Sequence, residues 1–110
     1  MSVEKPPQGA ERRVSPRRDV RLPVFCRIVA DDGPVLPAVV LDVSQSGVGL
    51  EIPTWLPRGQ ELHLGFSGAA AGLTVRALVR FARPADAPNW RIGCEFGQPL
   101  SEDEFAAIVG

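Results

Sequence analysis

Apolar and polar residues alternate with a period of two along most of the chain after residue 20. Such alternation is typical of strands that bury one face and expose the other. Five segments show it, and a sixth, residues 35–43, is a near-continuous apolar run that indicates a deeply buried strand. Turns rich in glycine and proline separate the six segments, which are residues 21–30, 35–43, 48–52, 62–66, 73–81 and 90–96. Short strands at this spacing predict an all-β fold, a six-stranded antiparallel β-barrel whose closure leaves no strand edge exposed.

The alternation also assigns faces at two places. In the fifth segment it puts Phe81 on the same buried face as Ala77 and Val79. In the third, Gly47 and Gly49 share the outward face. Two glycines on one face predict a part of the barrel surface that is bare of side chains, where a flat group could lie.

A short C-terminal helix is predicted after the last strand. Ser101 and Glu104 have the spacing of a capping box, and Leu100 and Phe105 are placed for a hydrophobic staple. At the other end, residues 1–10 are predicted to be a flexible tail, followed by an arginine-rich arm over residues 11–19. A chain of 110 residues has little room for a second domain, so residues 11–110 are predicted to form one barrel domain.

The net charge of −1 conceals a marked asymmetry along the chain. Residues 1–27 hold seven basic and three acidic groups, whereas the remainder holds five basic and ten acidic groups. Long nucleic acid normally requires a broader basic surface. A concentrated basic arm on an otherwise acidic domain favours a compact anion, or an acidic partner surface, as its binding partner.

Several classes of protein are disfavoured by what the sequence contains. The longest apolar run, residues 35–41, is too short to cross a bilayer, and residues 1–11 hold no apolar signal core, so we expect a cytoplasmic protein without membrane insertion. Cys26 and Cys94 lack metal-ligand spacing and read as buried, reduced thiols. His63 is the only histidine. We therefore predict no metal, no cofactor and no enzymatic activity.

Two short motifs carry the candidate chemistry. The first places Arg13 and Arg17 four residues apart in the arm, and the second comprises Asp42, Ser44 and Gly47 after an apolar strand. An arginine can clamp phosphate oxygens or pair with the O6 and N7 edge of guanine. A carboxylate such as that of Asp42 accepts from the N1–H and N2–H₂ groups of guanine. Together the motifs predict a site for a small anionic nucleotide.

At these residues the chain resembles the PilZ domains, bacterial receptors for cyclic di-GMP. Residues 11–17 match the Arg-x-x-x-Arg loop of that family, and residues 42–47 match its Asp/Asn-x-Ser-x-x-Gly motif. Residues 58–62 and 91–96 resemble its turn into the fourth strand and its closing Gly-x-x-Phe strand. The resemblance covers roughly residues 11–105 and implies a barrel of the split-barrel type.

The resemblance also implies roles for individual residues. Arg13 and Arg17 would contact the phosphates and guanine edges of cyclic di-GMP, with assistance from Arg12. The second motif would lie against a guanine on the barrel surface, where two of its side chains would read the base and its glycine would hold the turn open: Asp42, Ser44 and Gly47. Members of the family bind one ligand molecule or an intercalated pair, and both remain open here.

The implied function is that of a receptor whose arm becomes ordered over cyclic di-GMP and signals to an unidentified downstream protein, in motility, exopolysaccharide production or cell-cycle control. The main alternative is a ligand-independent interaction module of the same fold, of the pilus-assembly type, although the intact motifs argue against it. A flavin-binding enzyme lacks a visible catalytic dyad. A single-strand nucleic-acid binder would normally interleave aromatic and basic residues, and this chain has no tyrosine.

Overall fold

Six antiparallel strands form a closed barrel in the computed structural model, which describes residues 17–28 and 35–110. The strands are β1 (Arg18–Ile28), β2 (Leu36–Val43), β3 (Gly47–Ile52), β4 (Glu61–Phe66), β5 (Thr74–Pro84) and β6 (Trp90–Phe96). Their order around the barrel is β1-β2-β3-β6-β5-β4, and β4 pairs back with β1. The predicted six-stranded antiparallel barrel is confirmed.

The inward side chains of these strands make the hydrophobic core. Each strand contributes branched or aromatic residues at alternate positions, and many have no accessible surface, among them Val40, Leu50, Leu62, Val79 and Ile92. Burying one such side chain contributes about 1.5–3 kcal/mol relative to leaving it exposed. The core therefore fixes which face of each strand points outward.

Both cysteines belong to this core. Cys26 on β1 and Cys94 on β6 are buried free thiols, as predicted. Burial raises the pKa of Cys26 to about 11. Burial also raises the pKa of Cys94 to about 12, and the proximity of Cys26 adds to that shift. Both thiols are therefore protonated at neutral pH and serve as small apolar side chains.

The predicted helix is present as α1 (Glu102–Val109), which begins with the predicted capping box. The Ser101 hydroxyl accepts from the backbone N–H of Glu104 at 3.1 Å, and the Glu104 carboxylate accepts from the backbone N–H of Ser101 at 2.8 Å. Ile108 is buried in the core, so it anchors the helix to the barrel. Within the part of the chain that the structure describes, no helix is long and apolar enough to cross a membrane.

Several strand boundaries and one face differ from the sequence predictions; β5, for example, ends at Pro84, three residues later than predicted. Strand β1 begins at Arg18, three residues earlier than predicted, whereas residues 29–30 of the predicted strand lie outside the described residues, as do the predicted tail and residues 11–16 of the arm. The prediction that Phe81 faces the core is wrong. The register of β5 against β6 shifts between Val79 and Phe81, and this irregularity turns Phe81 outward, where its side chain is 40% exposed.

Candidate functional site

One row of outward positions crosses four neighbouring strands of the barrel. Asp42 on β2 is opposite Gly49 on β3, Gly49 is opposite Gly93 on β6, and Gly93 is opposite Phe81 on β5. Two glycines thus lie between a carboxylate and an aromatic ring. We call these four positions the Asp42–Phe81 row.

The glycines of the row allow the flanking side chains to lie flat on the sheet. A Cβ atom at Gly49 would lie 2.9 Å from Oδ1 and 3.1 Å from Oδ2 of Asp42, and a Cβ atom at Gly93 would collide with the ring of Phe81. Neither glycine has a positive φ. Close approach of a neighbouring side chain therefore requires glycine at both positions.

The sequence-based expectation that the glycines leave a part of the barrel surface bare of side chains is wrong. Gly47, Gly49 and Gly93 are all buried, because the Asp42 carboxylate lies against Gly49 and the Phe81 ring lies on Gly93. Gly47 packs against the backbone of β6, where an added Cβ would lie 2.5 Å from the carbonyl oxygen of Cys94. Its φ is not positive. Of the two reasons for a glycine at position 47, the close approach of another backbone is the one observed.

Two arginines hold the Asp42 carboxylate. Nη1 of Arg17 donates to Oδ1 at 2.6 Å, and Nη2 of Arg91 donates to Oδ2 at 2.8 Å. The side chain of Asp42 is 14% exposed, whereas those of Arg17 and Arg91 are 54% and 45% exposed. Charge-assisted bonds of this kind are shorter and stronger than neutral ones. They fix the carboxylate in place while both guanidinium groups keep a solvent-facing surface.

The Arg17–Asp42 contact joins the two sequence motifs in space. Arg17 is the last residue of the Arg-x-x-x-Arg motif and lies immediately before β1. Asp42 begins the second motif, 25 residues later, near the end of β2. Pairing of β1 with β2 places the start of β1 beside the end of β2, with Arg18 opposite Val43. The arm therefore meets the barrel at the Asp42 carboxylate.

The side chain of Ser44 makes its hydrogen bonds within its own turn. Its side chain is only 1% exposed, and its hydroxyl oxygen accepts from the backbone N–H groups of Ser46 at 3.2 Å and Gly47 at 3.1 Å. The N–H of Ser44 donates to the carbonyl of Gly47 at 2.8 Å. Such side-chain bonds to nearby backbone groups are the usual way a serine holds a turn. A direct contact of Ser44 with a ligand remains a prediction.

The turn that Ser44 holds is also tied to the chain segment before α1. The backbone N–H of Leu100 donates to the carbonyl of Gln45 at 2.8 Å, and the Gln45 amide donates to the carbonyl of Leu100 at 3.1 Å. The N–H of Phe96 donates to the carbonyl of Ser46 at 2.9 Å. These bonds fix the turn relative to β6 and the start of the helix, so Asp42 is followed by a rigid segment.

At the β5 end of the row, one charged side chain contacts Phe81 and an ion pair lies nearby in the sequence. The guanidinium carbon of Arg83 lies 4.6 Å from the centroid of the Phe81 ring, a cation–π contact. Nε of Arg80 lies 3.1 Å from Oε1 of Glu95 in an exposed ion pair. The row thus has arginines near both ends, while the Asp42 carboxylate and the Phe81 ring cover the two glycines at its centre. This distribution suits a planar molecule with anionic groups on its periphery.

The predicted site residues fall into three groups. Arg12 and Arg13 lie outside the described residues. Arg17 and Asp42 are in direct contact. Ser44 and Gly47 form the adjacent turn, where they bond to each other.

Residues of this surface that the sequence analysis missed include Arg91 and Phe81. Alternation does put Arg91 on the outward face of β6, two residues before Gly93. That was the available signal. The partner of Arg91 is 49 residues away in the sequence and on a strand with which β6 does not pair, so spacing could not identify it. Phe81 was assigned to the wrong face because the irregularity in β5 is not visible in the alternation.

Other candidate sites carry less chemistry. A surface groove of about 560 Å³ is lined mainly by parts of β5 and the segment before α1, and contains no residue of the Asp42–Phe81 row. Within residues 17–28 and 35–110 there is no group of three or more His, Cys, Asp or Glu side chains that could hold a metal ion. We therefore centre the candidate site on Asp42, where a fixed carboxylate, two arginines and both motifs meet.

The comparison with protein families decides the relationship of this chain to known proteins. The family model of the PilZ domain matches residues 11–110. The chain belongs to the PilZ domain family. The match includes both motifs of this PilZ domain, with Arg12 and Arg13 in the arm and Asp42 to Gly47 at the turn.

Solved structures share the fold of this PilZ domain. The Bacillus subtilis inhibitor of motility, MotI/DgrA, aligns with a TM-score of 0.67 and 18% identity over 94% of this chain and 53% of that one. MrkH of K. pneumonia, in a complex with c-di-GMP, aligns with a TM-score of 0.64 and 18% identity over 87% of this chain and 49% of that one. The PilZ domain thus spans about half the length of each. No curated protein matches the chain.

Proposed function

We propose that this PilZ domain is a non-catalytic receptor for cyclic di-GMP that acts in the cytoplasm through a downstream partner protein. Membership of the family and the complete pair of motifs support this proposal. A structural relative has been determined in a complex with c-di-GMP. The observation that carries the proposal furthest is the contact between Arg17 and Asp42, because it brings the arginine motif and the acidic motif onto one surface.

The phosphates of the ligand are bound by the arginines of the arm. The Arg17 side chain is more than half exposed, so donors of its guanidinium group remain available beside the one given to Asp42. Arg13 and Arg12, which lie outside the described residues, supply further forks for phosphate oxygens. As the ligand binds, residues 11–17 close over it, and the cost of ordering them is offset by charge-assisted phosphate bonds.

The guanine base is read at Asp42. Its carboxylate has about four lone-pair positions, of which Arg17 and Arg91 use two. The remaining positions accept the N1–H and N2–H₂ donors of guanine, a pair that adenine does not present. The turn at Ser44 keeps the carboxylate at a fixed height above the sheet, and Gly47 lets β3 start close to β6. The Phe81 ring and Arg83 form the edge of the base site on the β5 side.

The output of the receptor is a changed surface. The surface next to β1 and β2 has a different charge and shape when the arm is closed over the ligand than when no ligand is bound. We propose that an unidentified partner protein recognises that change, in motility, exopolysaccharide production or cell-cycle control. The chain itself performs no chemical step on the ligand.

The proposal is tested by calorimetric titration of the purified protein with cyclic di-GMP, and with GTP and cyclic GMP as competing nucleotides. We expect saturable binding of cyclic di-GMP alone. The variants Asp42→Ala and Arg17→Ala should each weaken binding by about 10- to 100-fold, the loss expected when hydrogen bonds to charged groups worth about 1.5–3 kcal/mol are removed. Arg13→Ala should weaken binding in the same direction.

The matched control is Glu61→Ala. Glu61 on β4 also pairs with an arginine, Arg76 on β5, but it lies outside the Asp42–Phe81 row. Removing the Glu61–Arg76 pair should change the free energy of unfolding by less than about 1 kcal/mol. Of the two carboxylate variants, Asp42→Ala should lose affinity and Glu61→Ala should not. If the wild-type protein binds no cyclic di-GMP by calorimetry and by equilibrium dialysis, the receptor proposal is wrong and the ligand-independent interaction module takes its place.

A further inference from the structure

We infer that Arg91 is a positioning residue of the nucleotide site, which holds the Asp42 carboxylate in the orientation that reads guanine. This inference rests on the proposed function and extends it to a residue outside both motifs. It starts from the bond between Nη2 of Arg91 and Oδ2 of Asp42 at 2.8 Å.

The path of the Arg91 side chain depends on the glycine between the two strands. Arg91 is on β6 and Asp42 on β2, and β3 runs between them. The residue of β3 opposite Asp42 is Gly49. A side chain at position 49 would contact the Asp42 carboxylate, since even a Cβ atom would lie 2.9 Å from Oδ1. The carboxylate can therefore lie towards β6, within reach of Arg91, only because position 49 is a glycine.

Arg91 and Arg17 bind the same carboxylate, but their backbones are held differently. Arg17 precedes the first strand and has no backbone partner in the barrel register. Arg91 is within β6, where its backbone position is matched by Glu51 of β3 on one side and Arg83 of β5 on the other. A residue held on both sides keeps its position, whereas one at the start of a strand can turn to another acceptor. On ligand binding, Arg17 turns its spare donors to a phosphate, while Arg91 stays on Oδ2.

The neighbouring acid does not compete for Arg91. Glu51 is directly opposite Arg91 in the register, but its Oε2 accepts from the side-chain amide of Asn89 at 2.8 Å. Arg91 instead reaches diagonally to Asp42. A guanidinium fixed on Oδ2 leaves further lone pairs of the carboxylate for two guanine donors.

The test compares cyclic di-GMP with cyclic di-AMP, because adenine lacks the N1–H and N2–H₂ donors that Asp42 accepts. Both are titrated into the wild type, Arg91→Ala, Arg91→Lys and Arg76→Ala. We expect Arg91→Ala to lower the affinity for cyclic di-GMP about tenfold, in the range of one partly exposed charged bond. Its preference for cyclic di-GMP over cyclic di-AMP should fall as well, and Arg91→Lys should restore part of both.

Arg76→Ala is the matched control, since Arg76 is likewise an exposed arginine paired with a carboxylate, in its case Glu61 on the adjacent strand β4. It should leave affinity and base preference unchanged, and the melting temperatures of the variants should agree closely. An Arg91→Ala variant with wild-type affinity and preference overturns the inference and leaves the receptor proposal intact. A wild-type protein that binds neither nucleotide overturns the receptor proposal, and the role of Arg91 in it as well.

Discussion

The two faces of β3 and β6 follow different rules. Inward, these strands carry Leu50, Ile52 and Ile92, which have no accessible surface and fill the barrel. Outward, the same strands carry Gly49 and Gly93, which contribute no side chain at all. Large residues are selected on one face by the volume to be filled, whereas glycines are required on the other face by side chains that approach from β2 and β5.

This difference shows which part of the barrel is arranged for stability and which for a site. Glycine within a strand costs roughly 0.5–1 kcal/mol relative to alanine because its backbone is freer in the unfolded chain. The outward face nevertheless has glycine at two paired positions of neighbouring strands, Gly49 and Gly93. In return, the Asp42 carboxylate and the Phe81 ring lie flat on the sheet, and Arg91 reaches Asp42 across β3. The packed inner face holds the strands in place, and the strands in turn fix the positions of Asp42, Phe81 and Arg91 on the outer face.

The largest effect on stability should come from the inner face. Leu50→Ala removes a fully buried side chain from the centre of the core. We expect the free energy of unfolding to fall by about 2–5 kcal/mol, the range for leucine replaced by alanine in a packed core. Urea denaturation at pH 7 measures this loss. A change below 1 kcal/mol would mean that the core is not packed around Leu50 as described.

The inner face should also be sensitive to alkaline pH through its two thiols. The pKa values of Cys26 and Cys94 are raised by burial from 9.0 to about 11 and about 12. Between pH 9 and 11 the unfolded chain loses these protons and the folded chain keeps them. The contribution of the two thiols to the free energy of unfolding is therefore fully present below pH 9 and is lost as the pH rises. At about pH 10.5 the loss is about 2 kcal/mol per thiol.

Urea denaturation at pH 8 and pH 10.5 measures the alkaline effect. The chain contains no tyrosine and one lysine, so few other groups titrate in this interval. A variant with both Cys26→Ala and Cys94→Ala is the control, and its stability should be lower but nearly equal at the two pH values. Equal stability of the wild type at both pH values would show that the thiols are not buried.

A smaller effect is expected from the outer face. In Gly93→Ala the new methyl group collides with the Phe81 ring, which must move aside. Overpacking of this kind costs about 1–3 kcal/mol, and an exposed ring that can rotate away puts the expected loss at the lower end. The free energy of unfolding of this variant, measured in urea, should therefore fall by about 1 kcal/mol.

Two comparisons make the Gly93 result specific. In the Phe81→Ala background the same substitution should cost nothing, which a double-mutant cycle would record as a coupling energy. Gly65→Ala on β4 is the matched control, since the nearest atom to its added Cβ is 4.0 Å away. Equal losses at positions 65 and 93 would contradict the packing of Phe81 on Gly93.

The sequence predicted the elements of this fold well because they depend on local patterns. Alternation located five strands, a continuous apolar run located β2, and the spacing of Ser101 and Glu104 located the start of α1. Phe81 was misplaced because the register shift in β5 arises from its pairing with β6, which no local pattern records. Arg17 and Asp42 were found through their motifs. Arg91 was not, because its contact with Asp42 exists only once β3 and β6 are adjacent.

The most direct test of the proposed site is a titration of isotope-labelled protein with cyclic di-GMP, followed by the NMR shifts of its backbone amides. Gly49 and Gly93 lie at the centre of the Asp42–Phe81 row, covered by Asp42 and Phe81, and Gly65 on β4 is three strands from Gly49 and two from Gly93 around the barrel. We expect the signals of Gly49, Gly93 and Arg91 to shift with ligand concentration while Gly65 stays unchanged. Shifts confined to β4, or no shifts at all, would contradict a nucleotide site on the Asp42–Phe81 row.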